Sequence, residues 1–370
     1  MALLTQLAIR DFRNLARADL TFPRDGVVVI GDNGQGKTNL LEAIYYFQLL
    51  RSVRGARDAD LVRFGASAFH LHATVSTNGE HELSAGFGRG KKKVVVDGAE
   101  AKRLSGALGS LPAVVISPRD VALVSGSPSE RRRFLDVALA LTCPRYLAAL
   151  QKYRGALARR NAALRGVARG LQSDESVAVW EPALAESGAV LLHERIAWMD
   201  RHGPKFTRLT ATIGEPEIMT MRYVTSVAHP RDAESELSDA LLRKRSLDIR
   251  RGLTHSGPHR DDIALQIGGH ELRIFGSGGQ QRTAAITLRL LEAETLKAHS
   301  GSEPLLLLDD PFAELDGHRS ARILTLLHET ASGQTILTVP RAGDIPSDLS
   351  SLTRWHIAGG SIDASGSNAK

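Results

Sequence analysis

Lysine, threonine and three glycines stand at spacings suited to phosphate chemistry in "GDNGQGKT", residues 31–38. The stretch fits G-x-x-x-x-G-K-[ST], with Gly31, Gly36, Lys37 and Thr38 at the fixed positions. In such a loop the backbone N–H groups wrap phosphate oxygens, the lysine ammonium reaches the β- and γ-phosphates, and the hydroxyl sits where Mg2+ binds. Asn33, Gly34 and Asn39 belong to the same cradle by position. The context fits: the apolar run "GVVVIG" precedes the loop, and a helix with Leu40, Leu41 and Ile44 on its buried side follows from Thr38.

A nucleotide cradle needs acids, and "PLLLLDDPFAELD" supplies them. Four leucines place Asp309 at the carboxyl end of a buried strand, where a carboxylate holds Mg2+ directly or through water. Asp310 follows as the candidate base or orienter of an attacking water. It is one methylene shorter than glutamate, so slow turnover is expected. The alternative for the two acids is a pair of strand-end carboxylates in a turn; the phosphate loop decides for ATP and Mg2+ as cofactors. A third stretch, "FGSGGQQRTAAITLRLLEAE" at 275–294, is another Gly-rich turn entering a helix. Helix N-termini favour anions, so Ser277, Gly279 and Gln280 form a second candidate cradle. One nucleotide has no use for two, and a flexible turn is the plain alternative.

The whole chain sets limits on the partners. It has 370 residues, 42% hydrophobic and 24% charged, with a net charge of +6. That is ordinary globular composition, and the basic excess favours a polyanionic partner, nucleic acid before membrane. Only 5% of residues are aromatic, so a base-stacking platform is poorly supported and duplex backbone binding fits better. Cys143 is the only cysteine, which suits a reducing cytoplasm. No apolar run approaches the roughly 18 residues of a membrane helix, and "MALLTQLAIRDF" alternates like a strand rather than a secretory leader.

The elements that must position these residues come in three stretches. "LAIRDF", "GVVVIG", "FHLHATVS", "HELSAGF", "KKVVVDG" and "AVVISP" read as strands, the third to fifth as antiparallel hairpins. From Ser127 to Arg251 the sequence is mostly helical, opened by a capping box at Ser127 with Pro128 and Glu130, and interrupted by one strand, "IMTMRYVTSV". α/β character then returns, with "IALQIGG" and "HELRIFG" as a strand pair, then "LLLLDD", a helix from His318, "QTILTV" and a frayed polar tail. The expected organisation is an α/β ATPase head made by both chain ends: residues 1–126 and 252–345, a helical insert over 127–251, and a final strand and tail over 346–370. No helix carries the sustained heptads of a long coiled coil.

Taken together, Asp309-Asp310, Glu314-Leu315-Asp316 and "SGGQ" resemble the ATP-binding-cassette (ABC) superfamily. "IRDFRNL", "RSVRGARDADLVRFG", "GSPSERRRFLD", "GPHRDD" and "LLDDPFAELDGHR" narrow the resemblance to the RecF family, over about residues 5 to 340. The resemblance implies an ABC-type P-loop head related to SMC heads, with a mixed sheet, an antiparallel β subdomain and an inserted helical lobe. It implies weak DNA-stimulated ATPase activity, binding at DNA gaps and single/double-strand junctions, partnership with RecR and RecO, and loading of RecA recombinase. It also implies an ATP-dependent homodimer, in which Ser277 and Gly279 of one copy meet the nucleotide on Lys37 of the other. Arg13 and Asn14 would lie near that nucleotide, Arg13 foremost. Two departures stand out. Arg119 follows Pro118 where the family has an acid, and "ILTVPRAGD" offers Thr338 and Pro340 but no histidine as γ-phosphate sensor.

The basic clusters Lys91–Lys93, Arg131–Arg133, Arg159-Arg160, Arg243–Arg245 and Arg250-Arg251 are each a solvated face or part of a DNA groove. The His259–Asp262 cluster has no standard zinc spacing and suits a structural or interface role. Other readings are a transporter's nucleotide-binding subunit, for which nothing resembles a coupling module, and a helicase or nuclease, which needs motor or metal motifs not seen in the sequence.

Overall fold

The computed structural model describes residues 1–77, 79–311, 317–330 and 333–365. Glu314, Leu315 and Asp316, and the end of the polar tail, lie outside them. The chain forms two compact units, Met1–Asp120 with Leu288–Lys370, and Val121–Thr287.

In the first unit "GVVVI", "LLLLD" and "TILTV" become the strands Gly26–Ile30, Leu305–Asp309 and Thr335–Val339. Their unbroken apolar runs suit a sheet covered on both faces, and nearly all of these residues are buried. The six-stranded sheet runs Ser361–Asp363, Thr353–Ala358, Gly26–Ile30, Thr335–Val339, Leu305–Asp309, Ala113–Ile116, parallel except at its first edge. That edge strand is part of the stretch expected to fray; pairing of His356–Ala358 with Ser361–Asp363 orders it.

A second sheet is antiparallel and joins Leu15–Thr21, Leu3–Phe12, Ala68–Ser76, Glu80–Gly88, Lys91–Val96 and Ala99–Glu100. Its strands alternate, with Leu7, Ile9, Leu71, Ala73, Leu83 and Ala85 buried on one face. Two contacts lock it to the rest of the unit. The Gln334 side chain accepts from Leu4 N at 2.8 Å and donates to Leu4 O at 3.0 Å and Pro23 O at 2.7 Å. Phe12, Phe69 and Tyr46 meet edge-to-face, with ring centroids 5.2–6.3 Å apart, so the helix Lys37–Leu49 is held through Tyr46.

The second unit packs the helices Pro128–Thr142, Pro144–Ala168, Glu181–Ile213 and Ala233–Arg251 with a three-stranded sheet. Residues 252–287, read from sequence as part of the head, group with this unit because Asp262–Ile267 pairs with Met219–Val224 along its length. Only His270-Glu271 of "HELRIFG" is strand; Leu272–Phe275 turns into a short helix. The capping box expected at Ser127 does not form. Ser127 is the N-cap, but its hydroxyl lies 2.6 Å from that of Ser129 and makes no cap bond.

Candidate nucleotide-binding site

The loop 31–38 folds as its glycines require. Gly34 and Gly36 have φ of 83° and 118°, values that L side chains rarely adopt. A Cβ on Gly36 would also meet Asn14 Oδ1 at 2.8 Å. Gly36 is the N-cap of Lys37–Leu49, and the first intrahelical bond is Leu40 N to Gly36 O. The preceding N–H groups of that turn have no intrahelical acceptor and form an anion-binding end. Asn33, Gly34, Gly36, Lys37, Thr38, Asn39, Arg54, Pro118, Asp309 and Asp310 line one cavity of about 350 Å3.

Lys37 is 7% exposed and donates to Asp32 O at 2.9 Å and to Gly31 O. Burial lowers its pKa, opposed by the charges of Asp309, Asp310 and Asp32. Thr38 Oγ1 lies 2.8 and 3.1 Å from the two carboxylate oxygens of Asp309. These are hard oxygen donors of the kind Mg2+ takes. Thr338, fully buried, donates to Asp309 Oδ1 at 2.9 Å. Asp310 has φ 47°, and its N–H donates to Thr338 O at 3.0 Å. A positive φ on a non-glycine residue is costly and clusters at working sites.

The supporting roles of Gln35, Arg54 and Glu42 were not read from the sequence, whereas Asn14 and Arg13 were expected near the nucleotide. Gln35 is braced from the C-terminal hairpin: Gly360 N donates to its backbone oxygen at 2.9 Å and Gly359 N to Oε1 at 2.6 Å. Asn14 donates to Gln35 O at 3.0 Å and accepts from Asn39 at 2.8 Å. Arg54 lines the cavity and bonds Asn39 and Glu42. Arg13 instead turns to Glu42, at 3.0 Å, and to Asp60 O, and is not among the cavity's lining residues. Burial alone would raise the Glu42 carboxyl, but hydrogen bonds from Arg54, Arg13 and Ser52 hold it below the usual range. Thus Asn14, not Arg13, reaches the phosphate loop.

The second cradle lies in the second unit. Ser277 N donates to Gln280 Oε1 at 2.8 Å, and Gln280 N donates to Ser277 Oγ at 3.3 Å, a reciprocal capping box. It starts the helix Gly278–Ser300. Ser277 and Gly278 are exposed, and Gly279 and Gln280 half-buried. Every lining residue of the 350 Å3 cavity belongs to the first unit.

The cluster before Asp262 is a structural hub of the second unit. Buried Arg195 donates to Asp136, Tyr146, Tyr223 and Pro258 O at 2.7–3.1 Å. Tyr223 donates to Asp261, and Arg131 makes a two-pronged pair with Asp262 at 2.7 and 2.8 Å. His259 lies 2.6 Å from Tyr153 Oη and 3.0 Å from Thr254 O. No group of three or more potential metal ligands occurs among the described residues.

The same packing sorts the basic clusters. Arg160 is fully buried on Glu181, Asp248 and Thr254. Lys92 pairs with Asp58 at 2.7 Å, Arg132 donates to Asp261 O, and Arg245 pairs with Glu181. These cations hold the fold. Lys91, Arg159, Lys244, Arg250 and Arg251 are exposed. No helix among the described residues is long and apolar enough to cross a membrane.

Known proteins resemble this chain in sequence and in fold. The family described as RecF/RecN/SMC N terminal domain matches residues 3–345. The DNA replication and repair protein RecF of Roseiflexus castenholzii is 36% identical, over 97% of this chain and 98% of that protein. That of Agathobacter rectalis is 32% identical, over 98% and 99%. A solved structure of the recombination mediator protein RecF with ATP, of the RecFOR pathway, superposes with a TM-score of 0.89 at 30% identity, covering 98% of this chain and 97% of that one. An Smc head domain from Pyrococcus furiosus, at 15% identity and a TM-score of 0.57, shares the fold. The fold is therefore that of an ABC-type ATPase head, and the chain belongs to the RecF family of DNA replication and repair proteins.

Proposed function

We propose that this protein is an ATP-gated DNA clamp of recombinational repair and replication-fork maintenance, working in the cytoplasm. Two copies close head to head over two ATP molecules, grip duplex DNA and gapped junctions, and help load RecA recombinase together with RecR and RecO. Slow, DNA-stimulated hydrolysis resets the clamp. The observation that carries this reading is the division of phosphate-binding parts. The cavity with Lys37, Thr38 and Asp309 is lined by one unit alone, while a second helix start at Ser277–Gln280, exposed at Ser277 and Gly278, stands capped in the other. A head-to-head pair uses both, in an isologous interface with a two-fold axis.

The residues then divide the work. First-turn N–H groups and Lys37 take the phosphate oxygens, Lys37 leaving the Gly31 and Asp32 carbonyls to do so. Thr38 and Asp309 hold Mg2+, which when bound neutralises charge on the phosphate oxygens. Thr338 fixes the Asp309 carboxylate. Asp310 accepts a hydrogen bond from the attacking water and aligns it. Ser277 and the N–H groups of Gly278 and Gly279 complete the site from the partner copy. Gln280 stays behind them as the cap.

Fluorescence anisotropy on a labelled duplex tests the reading. ATP tightens binding by the wild type and leaves Lys37→Ala unchanged; equal binding by both, with and without ATP, overturns the gating.

A further inference from the structure

Two helices of the second unit end side by side. Pro144–Ala168 and Ala233–Arg251 run in the same direction there: Arg160 donates to Asp248 at 2.8 Å, and further along both helices a Cβ on Gly252 would meet Arg165 Cγ at 2.9 Å. Ile249 and Val167 pack on the cluster of Ala163 and Leu164 along the same seam. The paired ends carry Arg165 in the last turn and Arg169 as the residue that ends the first helix, and Arg250 with Arg251 at the end of the second. All four are exposed. Among the described residues none of the four makes an ion pair or a side-chain hydrogen bond, whereas Arg160 and Arg245 of the same helices are taken by Asp248 and Glu181.

Cations at a helix C-terminus have a local use, because each end carries roughly half a negative charge. Two ends account for about one of the four positive charges. The surplus of about three repels itself, a cost relieved when an anion binds.

We propose that this paired helix end is a surface for the phosphate backbone of duplex nucleic acid. The proposal rests on the DNA-binding reading above and names a place for it. Guanidinium forks match phosphate oxygens in geometry and charge. Base stacking is not offered, since Trp180, the nearby aromatic ring, is covered by Arg159 at 5.1 Å. An acidic protein partner fits less well: the exposed Leu171 and Leu253 are single side chains, not a desolvated anchor pocket.

The test compares wild type with the quadruple variant Arg165→Ala/Arg169→Ala/Arg250→Ala/Arg251→Ala on a 30-bp duplex, with polyglutamate as the acidic competitor. Four phosphate contacts add about 3.6 to the slope of log affinity against log salt, at roughly 0.9 per contact. Between 50 and 200 mM salt the wild type then loses about 150-fold more affinity than the variant. The matching Arg→Lys variant keeps the charge and retains most of the slope, which also guards against a misfolded Ala variant. An unchanged slope in the Ala variant, while wild type binds duplex, overturns the assignment and leaves DNA binding to other surfaces. So does a variant that loses polyglutamate but not duplex. A wild type that binds no duplex instead overturns the underlying DNA reading. Lower thermal stability with an unchanged slope would mean that the arginines serve only the helix ends.

Discussion

Thr338→Val is the most informative single substitution in the nucleotide site. Valine has nearly the volume of threonine, and position 338 is fully buried, so packing is preserved and only the hydroxyl goes. That hydroxyl donates to Asp309 Oδ1 at 2.9 Å and is 3.4 Å from Leu308 O. A hydrogen bond to a charged group is worth about 1.5–3 kcal/mol. Asp309 is half-buried and keeps its bond to Thr38, so the lower figure applies. About 1.4 kcal/mol is a factor of ten, and the expected result is a Mg2+ requirement for ATP binding raised roughly tenfold. Titrating Mg2+ at fixed fluorescent ATP analogue reads this directly. Thr338→Ser restores the hydroxyl and the wild-type midpoint. An unchanged midpoint in Thr338→Val would refute the idea that Thr338 orients the metal-holding carboxylate.

Two further outcomes follow from the same structure. Gly360 has φ 82°, and a Cβ there would meet Asn14 O at 2.2 Å, whereas Gly359 has φ 56° and open space. Gly359→Ala thus costs only the left-handed backbone, about 1–2 kcal/mol, while Gly360→Ala also disturbs Asn14 and Gln35 and weakens ATP binding; equal effects on ATP affinity would contradict the bracing role. His259 has its pKa pushed down to about 4 by burial, from an ordinary 6.5. Above 6.5 neither folded nor unfolded protein holds that proton; as pH falls, the unfolded chain takes it first. The second unit therefore loses about 3 kcal/mol between pH 6.5 and 4, and denaturant unfolding of His259→Gln should lack that part of the pH dependence.

How much of this was legible in the sequence depended on the range of the interactions. The loop 31–38, its strand and its helix were readable because glycine positions, an apolar run and 3.6-residue spacing are local signals. Asp309 was readable for the same reason. The supports were not, since Gln35 is braced by Gly359 and Gly360, more than 300 residues away, in a tail whose composition suggests fraying. Capping shows the limit more sharply. "SPSE" and "SGGQ" share the pattern S-x-x-[EQ], yet Ser277 and Gln280 close their box while Ser127 turns to Ser129. A neighbouring hydroxyl in the first turn is enough to divert the cap. Charge runs were the least legible. Arg159-Arg160 looks uniform in sequence, but one residue is exposed over Trp180 and the other is sealed on two carboxylates. Arg250-Arg251 stood out as a run, but Arg165 and Arg169 join them only through the packing of the two helix ends.

In the proposed clamp the Ser277 turn of one copy completes the nucleotide site of the other. Sedimentation velocity with and without ATP, on wild type, Lys37→Arg and Ser277→Arg, tests it most directly, with ATP binding measured alongside. The expected result is that ATP converts wild type to a dimer, and that Ser277→Arg binds ATP with near-normal affinity yet stays monomeric. Normal ATP-driven dimerisation of Ser277→Arg, or a wild type whose mass does not respond to ATP, would contradict it.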